Sequence, residues 1–213
     1  MKTDYYPEDF RLTKRMAFVF FMVVVSTIGI TALPLYTIRY ISIESSLALM
    51  VGLEFLISLI VYFSYLRHLQ NFKNKPSIKT TTLALVTLSL MQILSFFVTA
   101  YGKGVQPTQP QLLEIFLLLL VVPFYEEVIY RGCLFGLVNC ITKNILVSSL
   151  VTSLVFSLMH TQYNSIAVHV MLFFMSIILV NVRVKTNGLY SPMLVHSGMN
   201  ALVIMINAQS ILR

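Results

Sequence analysis

Glu126, Glu127 and Arg131 stand in the stretch Val121-Val122-Pro123-Phe124-Tyr125-Glu126-Glu127-Val128-Ile129-Tyr130-Arg131-Gly132, deep inside an otherwise apolar run. Placing Asp or Arg near the centre of a membrane helix costs about 2.5 to 3.5 kcal/mol, so charges there are functional by default. Glu127 and Arg131 are four apart, share a helix face and can neutralise each other. Glu126 points about 100° away and lacks that partner. Pro123 has no N–H for the carbonyl of Leu119, which opens the helix one turn before Glu126 and suits that carboxylate to holding water. The blander alternative is an interfacial ion pair, with Glu126 reaching for headgroups.

Two further pairs follow at helical spacing: Phe156 with His160, and His196 with Asn200. Alone, the first is a packed helix-end histidine. The second, alone, is interhelical hydrogen-bonding glue of about 0.6 to 2 kcal/mol per bond. Taken with Glu126 on a third helix, they supply a general base, a second proton-handling group and donors for an oxyanion. His169 has no polar partner one turn away and His68 sits in a basic loop, so both are read as structural. Cys133 and Cys140, seven apart, have no metal spacing and are read as packing residues.

Helices must position these groups, and composition says in what solvent. Of 213 residues, 57% are hydrophobic and 11% charged, against about 25% charged in soluble domains. Apolar stretches of membrane-crossing length recur, and turn residues divide them into helices expected at 16–38, 43–66, 80–101, 111–138, 145–161, 164–183 and 188–208. The expectation is an all-α, polytopic transmembrane bundle of about seven spans, eight if a short or re-entrant segment is added. The first stretch is too long for a cleavable signal and is read as a retained span.

The formal charge of +7 falls between spans and does not form a patch with exposed aromatics. Nucleic acid is therefore not expected as a partner, and anionic lipid headgroups are. Lys2, Arg11, Lys14, Arg15, Arg67, Lys73, Lys75, Lys79, Lys143, Arg183 and Lys185 lie on one side of the expected topology. Arg39, Lys103 and Arg213 lie on the other, which predicts a cytoplasmic amino terminus and an external carboxy terminus. Residues 1–110 are expected to be a tail and three accessory helices, and 111–213 a catalytic helical core, within one integrated membrane domain.

In the order Glu-Glu-x-x-x-Arg, Phe-x-x-x-His, His-x-x-x-Asn, the chain resembles the CAAX-protease and bacteriocin-processing family of intramembrane proteases, also called Abi. The lead-in Thr186-Asn187-Gly188-Leu189-Tyr190-Ser191-Pro192 resembles the same family, and the likeness spans roughly 111–207. It implies that Glu126 and His160 activate the attacking water, that His196 and Asn200 hold the oxyanion, and that Glu127, Arg131 and Phe156 support them. It implies a peptide or protein substrate, lipidated or bacteriocin-like, with a role in CAAX-type or bacteriocin maturation or self-immunity, in a bacterial plasma membrane. No cofactor is expected, because the His-Glu-x-x-His zinc signature is missing; a zinc ion, if used, would take Glu126, His160 and His196.

Two other classes stand beside the endopeptidase: a non-catalytic immunity or peptide-binding protein on the same scaffold, and a proton-coupled transporter. The latter is disfavoured by the lack of a repeat between the halves. One difficulty accompanies the enzyme reading. With the boundaries above, Glu126 lies nearer the cytoplasmic end of its span, while His160 lies about 22 Å from the start of its own. The two meet only if a boundary differs, or if the uncharged connector Thr161-Gln162-Tyr163-Asn164-Ser165 is recessed where it lines a wet cavity.

Overall fold

A helix surrounded by hydrocarbon gains nothing by hiding its apolar side chains, so its polar ones turn inward. The second helix shows this plainly: its buried positions include Ser46, Glu54, Ser58 and Val61, while Leu56, Ile60 and Phe63 face outward. The computed structural model describes residues 14–67, 77–100 and 112–209. Among them there is no strand. The expectations for Lys2, Arg11, His68, Lys73, Lys75, Lys103, Arg213 and the segment Gly102–Pro110 lie outside the described residues.

Seven helices run through the described residues. Helix α1 comprises Lys14–Thr31 and, after a break before Pro34, the turn Pro34–Thr37. Helix α2 is Ile43–Leu66, α3 is Ile78–Ala100, and α4 runs over 112–142. Ile145–Met159, Ile166–Thr186 and Tyr190–Gln209 are α5, α6 and α7. Four stretches are long and apolar enough to cross a bilayer: Lys14–Thr37, Ile43–Leu66, Ile78–Phe96 and Ile166–Thr186. The fold is thus the expected all-α bundle of membrane helices, with most boundaries within about three residues of those read from the sequence.

Local chemistry sets the ends. The Asn144 side chain accepts from the backbone N–H of Leu146 (2.9 Å) and Val147 (3.2 Å) and so starts α5. Lys143 and Asn187 adopt left-handed backbone (φ 50° and 48°) and stop α4 and α6. Ser42 caps α2 through the N–H of Ser45.

Helix α4 is the axis of the bundle, packed by α1, α2, α5 and α7. It differs from expectation in two respects. It continues to Thr142 rather than ending near 138, and it is not regular: Leu117–Val121 and Glu127–Leu134 are wound as π-helix. The Val122 N–H reaches the carbonyl of Leu117, and that of Phe135 reaches Tyr130. The first wide turn directly precedes Pro123, whose missing N–H already interrupts the α ladder. Close approach is bought by small residues: a Cβ on Gly132 would stand 2.6 Å from a Leu66 methyl, and one on Gly198 2.6 Å from a Leu85 methyl. One buried apolar cluster joins Phe20, Val61 and Leu88 from the first three helices to Val128, Leu179 and Val195 from the rest.

Candidate active site

Glu126 and Glu127 are neighbours on α4 that face different surroundings. Glu127 is fully buried; its Oε1 lies 3.1 Å from Arg131 and accepts from His196 Nδ1 at 2.9 Å. Arg131, also fully buried, donates to the Ser176 hydroxyl of α6 (3.0 Å), and its guanidinium lies 4.4 Å from the Phe156 ring centre. The i,i+4 pairing expected of Glu127 and Arg131 is present, on π rather than α winding.

Glu126 instead borders open space. A cavity of about 510 Å³ between α3, α4, α5, α6 and α7 is lined by Glu126, His160, His196 and Asn200, with apolar walls from Val122, Val168, Met171 and Val203 among others. His160 Nε2 is 4.0 Å from one carboxylate oxygen of Glu126, and His196 Nε2 is 3.6 Å from the other. These gaps exceed a direct hydrogen bond, so the carboxylate and both Nε2 atoms remain available to a third group in the cavity.

Hydrogen bonding orients both rings. His160 Nδ1 meets the Phe156 carbonyl at 2.7 Å and His196 Nδ1 meets the Glu127 carboxylate at 2.9 Å. Both partners accept only, so each Nδ1 carries a hydrogen and each Nε2 is turned toward Glu126. Phe156 also packs against His160, ring centres 4.5 Å apart. The Asn200 amide donates to the Leu118 carbonyl at 2.8 Å and retains a second N–H.

The expected obstacle to Glu126 meeting His160 is absent for a geometric reason. Helices α4 and α5 form an antiparallel hairpin around Lys143 and Asn144. Because α4 reaches Thr142, Glu126 precedes that connector by about as many residues as His160 follows it. Equal distances from the turn give equal depth.

Two contributors were missed in the sequence. His169, near the start of α6, touches the Ser157 carbonyl through Nδ1 (2.8 Å) and the Tyr163 carbonyl through Nε2 (2.9 Å), while the Ser157 hydroxyl donates back to its carbonyl (2.7 Å). It therefore clasps the 160–165 connector that carries His160, and its partners lie on other segments where a search one turn away cannot find them. Glu54, buried in α2, accepts a hydrogen bond from the Thr31 hydroxyl at 2.9 Å and lines a small cavity shared with Glu126. The signal was available: Val51-Gly52-Leu53-Glu54-Phe55-Leu56-Ile57 holds a lone acid in an apolar span.

Among the described residues no set of three or more His, Cys, Asp or Glu is arranged to hold a metal ion as it stands. Cys133 is buried and Cys140 partly so, both as free thiols. No curated protein and no solved structure matches the chain. Residues 108–202 match the family model described as type II CAAX prenyl endopeptidase Rce1-like, and by that match the carboxy-terminal part of this chain is similar to those endopeptidases, the kinship its three motifs had implied.

Proposed function

We propose that the chain is an intramembrane endopeptidase whose base is Glu126. The observation that carries this reading is the convergence of the two Nε2 atoms, of His160 and His196, on one carboxylate in a cavity that Asn200 also lines. In this reading a water sits between Glu126 and His160. Glu126 takes its proton, and the hydroxide adds to the scissile carbonyl carbon. The developing oxyanion is met by an Asn200 N–H and by His196 Nε2. His196 Nδ1 is directed at Glu127, which leaves Nε2 as the ring nitrogen turned to the oxyanion, where it donates when the ring carries both hydrogens. Glu126 then passes its proton to the leaving nitrogen as the C–N bond breaks.

The apolar walls of the cavity support a lipid-modified peptide of CAAX type as substrate. The reading is metal-free. Among the described residues Glu126 and the two histidines are not placed as a metal site, and in this reading Asn200 and His196 serve as the oxyanion donors.

The test is cleavage of a prenylated CAAX-type peptide, and its unprenylated form, by protein purified in lipid. Cleavage that survives exhaustive chelation and is lost in Glu126→Gln is the expected result. Stoichiometric zinc whose removal abolishes activity would overturn the metal-free chemistry. Failure to cut either peptide, with uptake driven by a pH gradient, would replace the protease by a transporter.

A further inference from the structure

Glu126 and His160 line two cavities. Beside the large one, a second of about 90 Å³ lies on the side of α1 and α2, bounded there by Thr31, Met50 and Glu54 and closed on the other side by Tyr130, Glu126 and His160. A buried water needs on the order of 10 to 15 Å³ and two to four polar partners. The small cavity has room for several, with the Thr31 hydroxyl, Glu54, Glu126 and His160 as partners.

The hydrogen bonding of Glu54 follows from its neighbours. Thr31 Oγ1 lies 2.9 Å from both the Thr27 carbonyl and Glu54 Oε1. The Thr31 hydroxyl is shared between these two acceptors, so Glu54 accepts from Thr31 and keeps further lone pairs for a water in the cavity. The titratable groups facing it are Tyr125, Glu126 and Tyr130 from α4 and His160 from the connector; among the described residues no Lys or Arg lines the cavity.

We propose that the small cavity is the water entrance of the site, and that Glu54 is a positioning residue that holds its water against Glu126. This rests on the endopeptidase reading. Each hydrolysis consumes one water, and a lipidated peptide filling the large apolar cavity shuts off supply from that side. Glu54 thereby joins a helix of the amino-terminal part to the chemistry of the carboxy-terminal part.

The test uses the full chain in lipid. Glu54→Leu dries the cavity and lowers kcat by about tenfold or more with KM changed less than about twofold, whereas Glu54→Gln, which still donates and accepts, stays within about threefold of the parent. Met50→Phe, which narrows the same cavity from its far wall, lowers kcat as Glu54→Leu does and carries the test if Glu54→Leu does not fold. X-ray hydroxyl-radical footprinting supplies a readout independent of activity: Tyr130 and Met159 are labelled by internal water in the parent and in Glu54→Gln, and lose that label in Glu54→Leu. A label that persists in Glu54→Leu, or a rise in KM at unchanged kcat, overturns the proposal. Lost labelling in a protein that cuts no peptide sustains the water site and removes the protease reading; unchanged labelling in an active protease does the reverse.

Discussion

Two carboxylates one residue apart show what separates a structural charge from a chemical one. Around Glu127 the side chain is 0% exposed and its Oε1 is shared by Arg131 and His196; around Glu126 it is 11% exposed, and the nearest ring nitrogens stand off at 3.6 and 4.0 Å. The first environment is dry and paired. The second leaves the carboxylate without a direct hydrogen bond from either ring and bordering a cavity. In a bilayer the cost of a charge is met either by a partner or by water, and only the second arrangement leaves the group able to exchange a proton.

The sharpest break of this contrast is to remove each charge without changing its shape. Glu126→Gln is expected to lower peptide cleavage by about 10²- to 10⁴-fold, the usual contribution of a general base, with the thermal melt of the purified protein unchanged. Glu127→Gln is expected to do the reverse in kind, lowering stability by about 3 to 5 kcal/mol because Arg131 is left buried without its anion. If both variants lose activity at unchanged melting temperature, the two carboxylates are not distinct in role. Arg131→Ala is expected to destabilise by a similar amount, and Arg131→Lys by less, since lysine keeps the charge but not the guanidinium fork. Equal, negligible shifts in melting for both substitutions would contradict the dry pairing.

Smaller effects test the edges of each environment. Asn200→Ala is expected to slow cleavage by about 10²- to 10³-fold in kcat, the scale of one oxyanion donor, with little change in melting. Single-turnover rates would show it. Ser176→Ala removes the hydroxyl that accepts from Arg131 (3.0 Å) and is expected to cost about 1 kcal/mol in stability, leaving cleavage near the parent value.

Much of this contrast could be read from the chain. A carboxylate with an arginine four residues on, and a second carboxylate out of phase with it, already separates the two roles by helix periodicity. The helices were legible for the same reason, since apolar length in a bilayer is a strong signal. Other features left no periodic trace. The π turns of α4 depend on which carbonyl an N–H selects, and hydrophobic spacing does not record that choice. Asn200 engages the Leu118 carbonyl, a backbone atom that every residue possesses. His169 holds the connector through carbonyls as well, and so resembles any packed histidine. Glu54 was visible as a buried acid but has no motif around it, and the resemblance drew attention to 111–207 instead.

The brevity of α5 carries a consequence for the bilayer. Fifteen residues span about 22 Å, less than the roughly 30 Å of a hydrocarbon core. Beyond Met159 the hydrophobic surface ends and a polar connector begins. Lipid tails beside that connector meet a mismatch, which is relieved by local thinning or by water drawn down from the headgroups. A helix that stops short therefore makes the protein a thin place in its own membrane. Longer acyl chains in the surrounding lipid deepen that mismatch.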